Sequence, residues 1–377
     1  MNIPRKALNL IKNKVQPGKV IILLGARRVG KTFLLNQYLK DILEKYIFWN
    51  GEDFAVYDLL KRRSVQNYKN ILGDAKLLII DEAQKIPDAG MILKLIVDSF
   101  ENLKIVVTGS SAFDITNLTG EPLTGRKFEI TLYPVSENEF RQIEKPGEWF
   151  DNLSQRLVYG NLPELANIEN QKDKAEYLRE IISSYLLKDI LAFGNLRNSS
   201  KLFDLLKLIA FQAGNEVSVQ ELGKQLAMSK NTVERYLDIL SKGFVVYRLN
   251  GFSRNLRKEI VKNFKWNFYD NGIRNAIIAN FNSITTRDDL GILWENYLMS
   301  ERIKHLSYSG VICNRYFWRT YDKQEIDLIE EREGKLFAYE FKWKADKAVV
   351  PAAWESAYPD ASYEVITSQN FMDWLKI

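Results

Sequence analysis

The chain has 377 residues with 46% hydrophobic and 12% aromatic side chains, and its formal net charge is +5 at pH 7. This composition excludes a disordered chain and leaves room for two or three domains, each with its own core. The single cysteine, Cys313, excludes an intrachain disulfide and a thiolate metal cluster. The single histidine, His305, excludes a histidine-rich zinc site and argues against a Ser-His-Asp triad.

Membrane association is not predicted, because no apolar run approaches the ~18 residues that a spanning helix needs. The first residues also lack the apolar core of a signal peptide. We therefore expect a soluble protein with no membrane partner, and the low cysteine content is typical of a reducing cytoplasm. The net charge permits nucleic-acid binding but does not require it.

The segment GARRVGKT at residues 25–32 follows the apolar run 20–24 and leads into a helical pattern. Strand, glycine-bracketed loop, Lys-Thr and helix together predict a phosphate-binding loop. Its backbone N–H groups and the positive end of the helix would hold phosphates. Lys31 is expected to reach the β- and γ-phosphates, and Thr32 to give its hydroxyl to Mg²⁺. The predicted nucleotide-binding residues are Gly25, Ala26, Arg27, Arg28, Val29, Gly30, Lys31, Thr32 and Phe33.

The apolar run 77–80 ends in two carboxylates, Asp81 and Glu82, about 50 residues after the loop. At the end of a strand, Asp81 would hold Mg²⁺ directly or through water. Glu82 is suited to orienting and polarising the water that attacks the γ-phosphate. The two motifs together predict an enzyme that hydrolyses ATP with Mg²⁺.

Residues 104–109 predict another parallel strand, which ends beside small hydroxyl residues. Strand ends next to a phosphate-binding loop face the ligand in an open α/β sheet. Thr108 or Ser110 would therefore sense the γ-phosphate or the attacking water, and the sequence does not decide between them.

Arg126 follows Leu123-Thr124-Gly125 and precedes the predicted strand 128–132. It is a candidate arginine finger, acting on the γ-phosphate of its own chain or of a neighbouring subunit. The second case implies a homo-oligomer. The alternative is an ordinary surface arginine.

A winged helix-turn-helix is predicted in the middle of the chain, after two helical segments at 173–193 and 201–212. A helix over 217–226, a short turn capped by Ser229, a helix over 231–241 and a strand over 244–249 follow in order. The outward positions of the second helix and the basic segment after it are Lys230, Asn231, Thr232, Glu234, Arg235, Arg254, Arg257, Lys258, Lys262 and Lys265. DNA contact and packing between domains of an ATPase explain this pattern equally well.

The last hundred residues resemble a restriction-endonuclease-like core: a helix from Trp294 to about His305 and then three strands. The resemblance implies that Asp327 and Glu340 bind Mg²⁺, since oxygen ligands suit this ion. Lys342 lies on the same strand face as Glu340 and would position a water or balance charge. Glu295 would add an outer metal contact. The alternatives are a nuclease fold kept for structure or DNA binding, and a half-exposed sheet.

Five short segments occur in a fixed order in the first part of the chain: GARRVGKT at 25–32, LLIIDEAQ at 77–84, VVTGSS at 106–111, LTGR at 123–126 and YPVSENEF at 133–140. This order resembles the prokaryotic ATPases of the AAA superfamily whose C-terminal half is the domain of unknown function 4143. The segments YGNLPE at 159–164 and FYDNG at 268–272 are similar to that branch as well. The resemblance implies a preference for adenine, and it makes Gly160 and Pro163 candidates for a position near the nucleotide.

The expected fold class is α/β. A P-loop domain with a doubly wound parallel sheet is predicted over 1–150, a helical and winged helix-turn-helix domain over 151–275, and a small nuclease-like α/β domain over 276–377. The expected function is ATP hydrolysis coupled to DNA-associated C-terminal domains, with ATP and Mg²⁺ as ligands. Two alternatives are an ATP-gated DNA nuclease and a nucleotide-dependent switch that binds DNA or a protein partner.

Overall fold

The structure is a computed structural model that describes residues 2–110, 123–145, 147–186, 199–253, 264–344 and 349–376. The chain divides into two compact units. The first consists of Asn2–Val135 with the short segment Lys242–Phe244, and the second of Ser136–Ser241 with Val245–Ile377. The three-domain division predicted from the sequence stays a prediction.

The first unit is built on a five-stranded parallel sheet with the strand order β2-β3-β4-β1-β5. Every residue of β1 and β3 is buried, which requires cover on both faces of the sheet. The predicted α/β fold with a parallel sheet is confirmed. The strands are β1 Val20–Leu24, β2 Tyr46–Asn50, β3 Leu77–Asp81, β4 Lys104–Gly109 and β5 Lys127–Thr131.

Helices connect these strands and supply the rest of the core. On one face, Ile22, Ile80 and Val107 of the sheet belong to the same buried cluster as Leu60 and Ile96 from the helices. The described helices of this unit are Lys6–Lys14, Lys31–Leu39, Phe54–Leu60, Val65–Leu72 and Ala89–Ser99, with a 3₁₀ helix over Ala83–Lys85.

The strand order decides where the functional residues meet. Because β3, β4 and β1 are neighbours and run in parallel, the residues that follow them lie at one edge of the sheet. The turn after β1 passes so close to the backbone that only glycine fits at position 25. A Cβ on Gly25 would lie 2.2 Å from the carbonyl oxygen of Leu132.

The second unit contains a seven-stranded sheet with the order β12-β11-β10-β9-β7-β8-β6. Parallel pairing of Asn250 with Tyr316, between β7 and β9, joins the strands of the helix-turn-helix region to the C-terminal strands. Strands β9, β10 and β11 are antiparallel, and β12 runs parallel to β11. The strands are β6 Glu216–Val217, β7 Val246–Gly251, β8 Phe264–Phe268, β9 Asn314–Arg319, β10 Glu325–Arg332, β11 Lys335–Phe341 and β12 Ser362–Ile366.

The described helices of the second unit include the one that carries His305, which is buried as an ordinary helix residue. None of the helices in the described part of the chain combines the length and the apolar character needed to span a membrane. The helices are Glu137–Phe140, Trp149–Tyr159, Gln171–Ile181, Ser199–Phe211, Val219–Leu226, Lys230–Lys242, Asn271–Ile277, Leu290–Ser309, Ala352–Ala357 and Phe371–Trp374, with a 3₁₀ helix over Pro163–Asn167 and a π-helical turn over Ile182–Leu186.

Candidate functional site

The phosphate-binding loop lies between β1 and the helix Lys31–Leu39. Gly30 precedes that helix with φ 94°, in the left-handed region that glycine tolerates. The Lys31 ammonium group is buried and donates hydrogen bonds to the carbonyl oxygens of Gly25 at 2.9 Å and Ala26 at 3.1 Å. Arg5 donates to the carbonyl oxygen of Val29 at 2.9 Å and fixes the middle of the loop. Lys31 therefore closes the loop from inside.

The two predicted magnesium ligands contact each other. The hydroxyl of Thr32 donates to Asp81 Oδ2 at 2.7 Å, and the hydroxyl of Thr108 donates to Asp81 Oδ1 at 2.5 Å. Thr108 is fully buried, so it orients the carboxylate from within the sheet. One carboxylate oxygen of Asp81 is thus held by β4, and the other faces the first turn of the helix after the loop.

Glu82 is oriented by two hydrogen bonds, one to its backbone and one to its side chain. Its backbone N–H donates to the Thr108 hydroxyl at 2.9 Å, and its φ of 50° is unusual for a non-glycine residue. The Gln84 side-chain amide donates to Glu82 Oε2 at 2.5 Å and to the Ser110 hydroxyl at 3.1 Å. Ser110 and Glu82 are therefore joined through Gln84, a residue to which the sequence analysis gave no role.

Arg126 does not join these residues. It precedes β5, and its carbonyl oxygen accepts a hydrogen bond from the N–H of Val20, the first residue of β1. The phosphate-binding loop follows the last residue of β1. Arg126 therefore lies where the parallel strands begin, and the loop lies where they end. Its side chain forms an ion pair with Asp98 at 2.6 Å. This position does not support a contact with the nucleotide of the same subunit. A contact with a neighbouring subunit stays a prediction, and an ordinary surface arginine stays the alternative.

The residues present fit a magnesium ion bound together with ATP. Within the described ranges, no group of three or more His, Cys, Asp or Glu side chains is arranged to hold a metal ion. In phosphate sites, however, Mg²⁺ takes one or two protein oxygens and completes its shell with phosphate oxygens and water. Thr32 and Asp81 supply two such oxygens side by side.

The second predicted site lies in the second unit, on β10, β11 and the helix Leu290–Ser309. Asp327 Oδ2 accepts a hydrogen bond from the Phe341 N–H at 2.8 Å, and Lys342 pairs with Glu340 at 2.8 Å. Burial raises the pKa of Asp327 well above its ordinary value, and the negative charges of Glu295 and Glu340 raise it further. The structure thus brings the four predicted residues into one electrostatic group.

Lys265 also belongs to this group, which corrects the expectation that it contacts DNA from the surface. Only 1% of its side chain is exposed, and its ammonium lies 2.5 Å from Glu325 and 3.6 Å from Glu295. Burial lowers the pKa of Lys265, but the carboxylates of Glu295, Asp327 and Glu325 outweigh that effect and raise it. Lys265 is therefore a buried counter-charge for the acidic residues. The other basic residues of that segment, namely Arg254, Arg257, Lys258 and Lys262, lie outside the described residues.

The helix-turn-helix region presents its second helix, Lys230–Lys242, much as predicted. Ser229 caps it, because the Thr232 N–H donates to the Ser229 hydroxyl at 3.1 Å. Thr232 is half-buried, whereas four of the predicted outward positions are exposed: Lys230, Asn231, Glu234 and Arg235. The strand β6 precedes the two helices and the antiparallel pair β7–β8 follows them, and a winged helix stays a prediction for this region.

Two of the segments named above for their resemblance contact each other in the second unit. A Cβ on Gly160 would lie 1.9 Å from Asp270 Oδ1, and a Cβ on Gly272 would lie 1.9 Å from the carbonyl oxygen of Tyr159. Asp270 also accepts a hydrogen bond from the Asn161 N–H at 2.6 Å. Gly160 therefore has a structural reason to be glycine, and a position of Gly160 or Pro163 near the nucleotide stays a prediction.

Three family models match the chain in succession. Residues 17–141 match a family described as an AAA domain, and residues 290–368 match the domain of unknown function DUF4143. Between them, residues 150–284 match another domain of unknown function, DUF8612. The predicted resemblance to AAA-superfamily ATPases with a C-terminal DUF4143 is confirmed.

Similar proteins cover most of the chain. An uncharacterized protein of Mycobacterium tuberculosis is 25% identical over 343 residues, which are 90% of this chain and 73% of the relative. An uncharacterized protein of Haemophilus influenzae is 27% identical over 340 residues, 84% of this chain and 80% of the relative. Among solved structures, the Walker-type ATPase PABY2304 of Pyrococcus abyssi shares the fold with a TM-score of 0.51 and 17% identity, covering 73% of this chain and 94% of that one. Residues 17–141 are therefore similar to an AAA domain and residues 290–368 to DUF4143, in the order that the motifs predict, and the fold is similar to that of a Walker-type ATPase.

Proposed function

We propose that the chain binds ATP together with Mg²⁺ and hydrolyses it at the edge of the parallel sheet where β1, β3 and β4 end. The observation that carries this proposal is the 2.7 Å contact between the Thr32 hydroxyl and the Asp81 carboxylate. A hydroxyl after the loop lysine and a carboxylate at another strand end are the protein oxygens that an ATP-bound Mg²⁺ uses. The buried Lys31 supplies positive charge beside them.

Each residue has a task that follows from its position. On ATP binding, Lys31 would exchange its bonds to the carbonyl oxygens of Gly25 and Ala26 for bonds to phosphate oxygens. The loop N–H groups and the first turn of the helix would hold the same phosphates. Bound Mg²⁺ would neutralise charge that develops on the β- and γ-phosphates. Glu82 would accept a hydrogen bond from water and align it with the γ-phosphorus.

The proposal is tested by measuring ATP binding and phosphate release with Mg²⁺ and with a chelator. Hydrolysis should require the metal ion, and both Lys31→Ala and Glu82→Gln should abolish it. Equal hydrolysis rates in wild type and both variants would refute this assignment of the site.

A DNA nuclease gated by ATP is the second candidate function. Two observations favour it. The charges of four side chains act on one another: Glu295, Asp327, Glu340 and Lys342. The strands β10 and β11, which carry three of these residues or precede them directly, are neighbours in the sheet. Asp327 and Glu340 would hold a divalent ion, with water and a DNA phosphate completing its shell. Plasmid and single-stranded DNA should then be cut with Mg²⁺ or Mn²⁺, and Asp327→Ala should abolish the cutting. Intact DNA under every nucleotide and metal condition would exclude this candidate.

DNA association is proposed for the helix-turn-helix region in either case. Lys230, Asn231 and Arg235 are exposed on the second helix, which is where such folds contact the major groove. Arg235→Glu should weaken DNA binding and reduce its dependence on salt. If the protein retains ATP with negligible turnover but binds DNA differently with and without it, a nucleotide-dependent switch replaces the hydrolase. For each of these activities we propose a cytoplasmic location.

A further inference from the structure

Gln84 connects two of the functional groups at the end of the sheet. Its side-chain nitrogen donates to the Glu82 carboxylate at 2.5 Å and to the Ser110 hydroxyl at 3.1 Å. Gln84 reaches them from the 3₁₀ helix Ala83–Lys85, while Ser110 directly follows β4. The contact therefore links the end of one strand to the carboxylate that follows its neighbour.

The chemistry of the contact fixes the orientation of the amide. A carboxylate only accepts hydrogen bonds, so the nitrogen of Gln84 and not its oxygen must face Glu82. Among the residues that the structure describes, none is a hydrogen-bond partner of the buried amide oxygen of Gln84. A buried acceptor without a partner costs free energy, so the hydrogen bonds of the amide nitrogen must hold this orientation.

The same contact directs the hydrogen of Ser110. Because the Ser110 oxygen accepts a bond from Gln84, its own O–H is available for another acceptor. Ser110 is 1% exposed and follows β4 at the edge of the sheet where the phosphate-binding loop lies. A γ-phosphate oxygen would be the acceptor for this O–H. Gln84 would thus be hydrogen-bonded both to the group that senses the phosphate and to the group that aligns water.

The backbone of Glu82 is fixed by hydrogen bonds, so only the side-chain torsions of this residue can change. Its N–H is bonded to Thr108, and Thr108 is bonded to Asp81. With φ at 50°, the backbone of Glu82 is held in the left-handed region by these contacts. The position of the carboxylate is then decided by the side-chain torsions, and Gln84 is the described residue that holds them.

We propose that Gln84 is a positioning residue for ATP hydrolysis, which fixes the Glu82 carboxylate toward the attacking water in response to a γ-phosphate bound at Ser110. This inference rests on the proposed ATPase function. It assigns Gln84 no contact with the phosphorus or the metal ion. Gln84 would affect the rate of hydrolysis and not the affinity for the nucleotide.

The test compares Gln84→Met, which keeps the length of the side chain but removes its hydrogen bonds, with wild type, Ser110→Ala and the double variant. Single-turnover hydrolysis should fall ~10- to 100-fold in Gln84→Met, while the dissociation constant of ATP should change by less than ~3-fold. Hydrolysis by the double variant should be at most about threefold slower than hydrolysis by the slower single variant, because both substitutions break the same chain of hydrogen bonds. Thermal unfolding of each variant is followed in parallel.

A purely structural role of Gln84 would give different results. It would lower the unfolding temperature and the ATP affinity together, and the two losses would multiply in the double variant. A wild-type hydrolysis rate in Gln84→Met overturns the inference. Absence of hydrolysis in the wild type would instead refute the proposed function itself.

Discussion

The hydroxyl of Thr32 and the carboxylate of Asp81 lie 2.7 Å apart, although 48 residues separate them in the chain. The contact joins the first turn of the helix after the phosphate-binding loop to the end of β3. A second hydroxyl, from Thr108 on β4, holds the other oxygen of Asp81. Three segments that are distant in sequence thus build one polar cluster at the edge of the sheet.

Substitution of Lys31 and of Glu82 should separate binding from hydrolysis. Lys31→Ala removes a buried ammonium from the loop, so the affinity for ATP should fall by more than ~10-fold together with turnover. Glu82→Gln keeps the shape of the side chain but removes the negative charge that polarises the water, so ATP should still bind while turnover falls by ~100-fold or more. Equilibrium titration with an ATP analogue and a phosphate-release assay measure the two effects. If Glu82→Gln turns over normally, another group aligns the water.

Gly25→Ala should damage the loop without touching any polar group. The added Cβ would lie 2.2 Å from the Leu132 carbonyl oxygen, so the backbone must move. We expect a loss of ~2 kcal/mol or more in the free energy of unfolding, together with weaker ATP binding. Urea denaturation and nucleotide titration would measure both. Gly291→Ala is the control, since a Cβ there meets nothing within 4 Å and a helical alanine should be neutral or stabilising.

Lys265→Met should destabilise the second unit through the acidic residues that it leaves behind. The buried ammonium pairs with Glu325 at 2.5 Å and lies 3.6 Å from Glu295. Removing one partner of a buried pair costs about 3–5 kcal/mol, because the remaining charge has no counter-charge. Adding Glu295→Gln to Lys265→Met should recover part of this loss. Denaturant titration of the two single variants and the double variant measures the coupling; simple addition of the two losses would show that the residues act independently.

Stability at low pH should depend on Asp289. Burial alone would raise its pKa, but hydrogen bonds and charges from Arg287 and Arg274 lower it to about 2. In the folded state this carboxylate stays charged at pH values below its ordinary pKa of 3.8. Its contribution to the free energy of unfolding is therefore present above pH ~4 and is lost as the pH falls toward 2. We expect about 1–2 kcal/mol after allowance for partial solvent exposure. Unfolding of Asp289→Asn between pH 2 and 6 should show a flatter acid limb than wild type.

Asp288→Asn is the matched control for that experiment, because the neighbouring carboxylate is exposed. Its acid limb should coincide with that of the wild type. The same flattening in both variants would assign the effect to net charge and not to the contacts of Asp289.

Arg126→Ala should leave hydrolysis by an isolated subunit unchanged, since Arg126 lies at the edge of the sheet opposite to the loop. Turnover per subunit is measured over a range of protein concentrations, with Asp98→Ala as the variant that removes the observed ion-pair partner. A loss that appears only at high concentration would place Arg126 at the nucleotide of a neighbour. A loss at every concentration would contradict the position described above.

The predictions that succeeded depend on short-range patterns with a fixed meaning. The loop at 25–32 and the pair Asp81-Glu82 each follow an apolar strand, and parallel strands bring their ends together. The contact between Gln84 and Ser110 was not predictable, because it depends on the adjacency of β3 and β4 in the sheet. The position of Arg126 follows from a simpler rule: a residue that precedes a parallel strand lies at the end of the sheet opposite to the residues that follow such strands.

Lys265 illustrates a second limit of the sequence. It follows a run of basic residues that is typical of a solvent-exposed, phosphate-binding surface. In the structure it belongs to β8, where alternate side chains point to opposite faces, and its own side chain is buried. The acidic partners Glu295 and Glu325 come from other elements, so no local pattern could reveal that this lysine is needed inside.

The parallel pairing of β7 with β9 has a practical consequence for dissecting the molecule. A fragment that begins at residue 276 would leave β9 with an open row of backbone donors and acceptors, a template for aggregation. It would also lack the lysine that neutralises its interior acids. Excision of the carboxy-terminal portion for expression, or its exchange between homologues, should therefore retain the hairpin strands upstream.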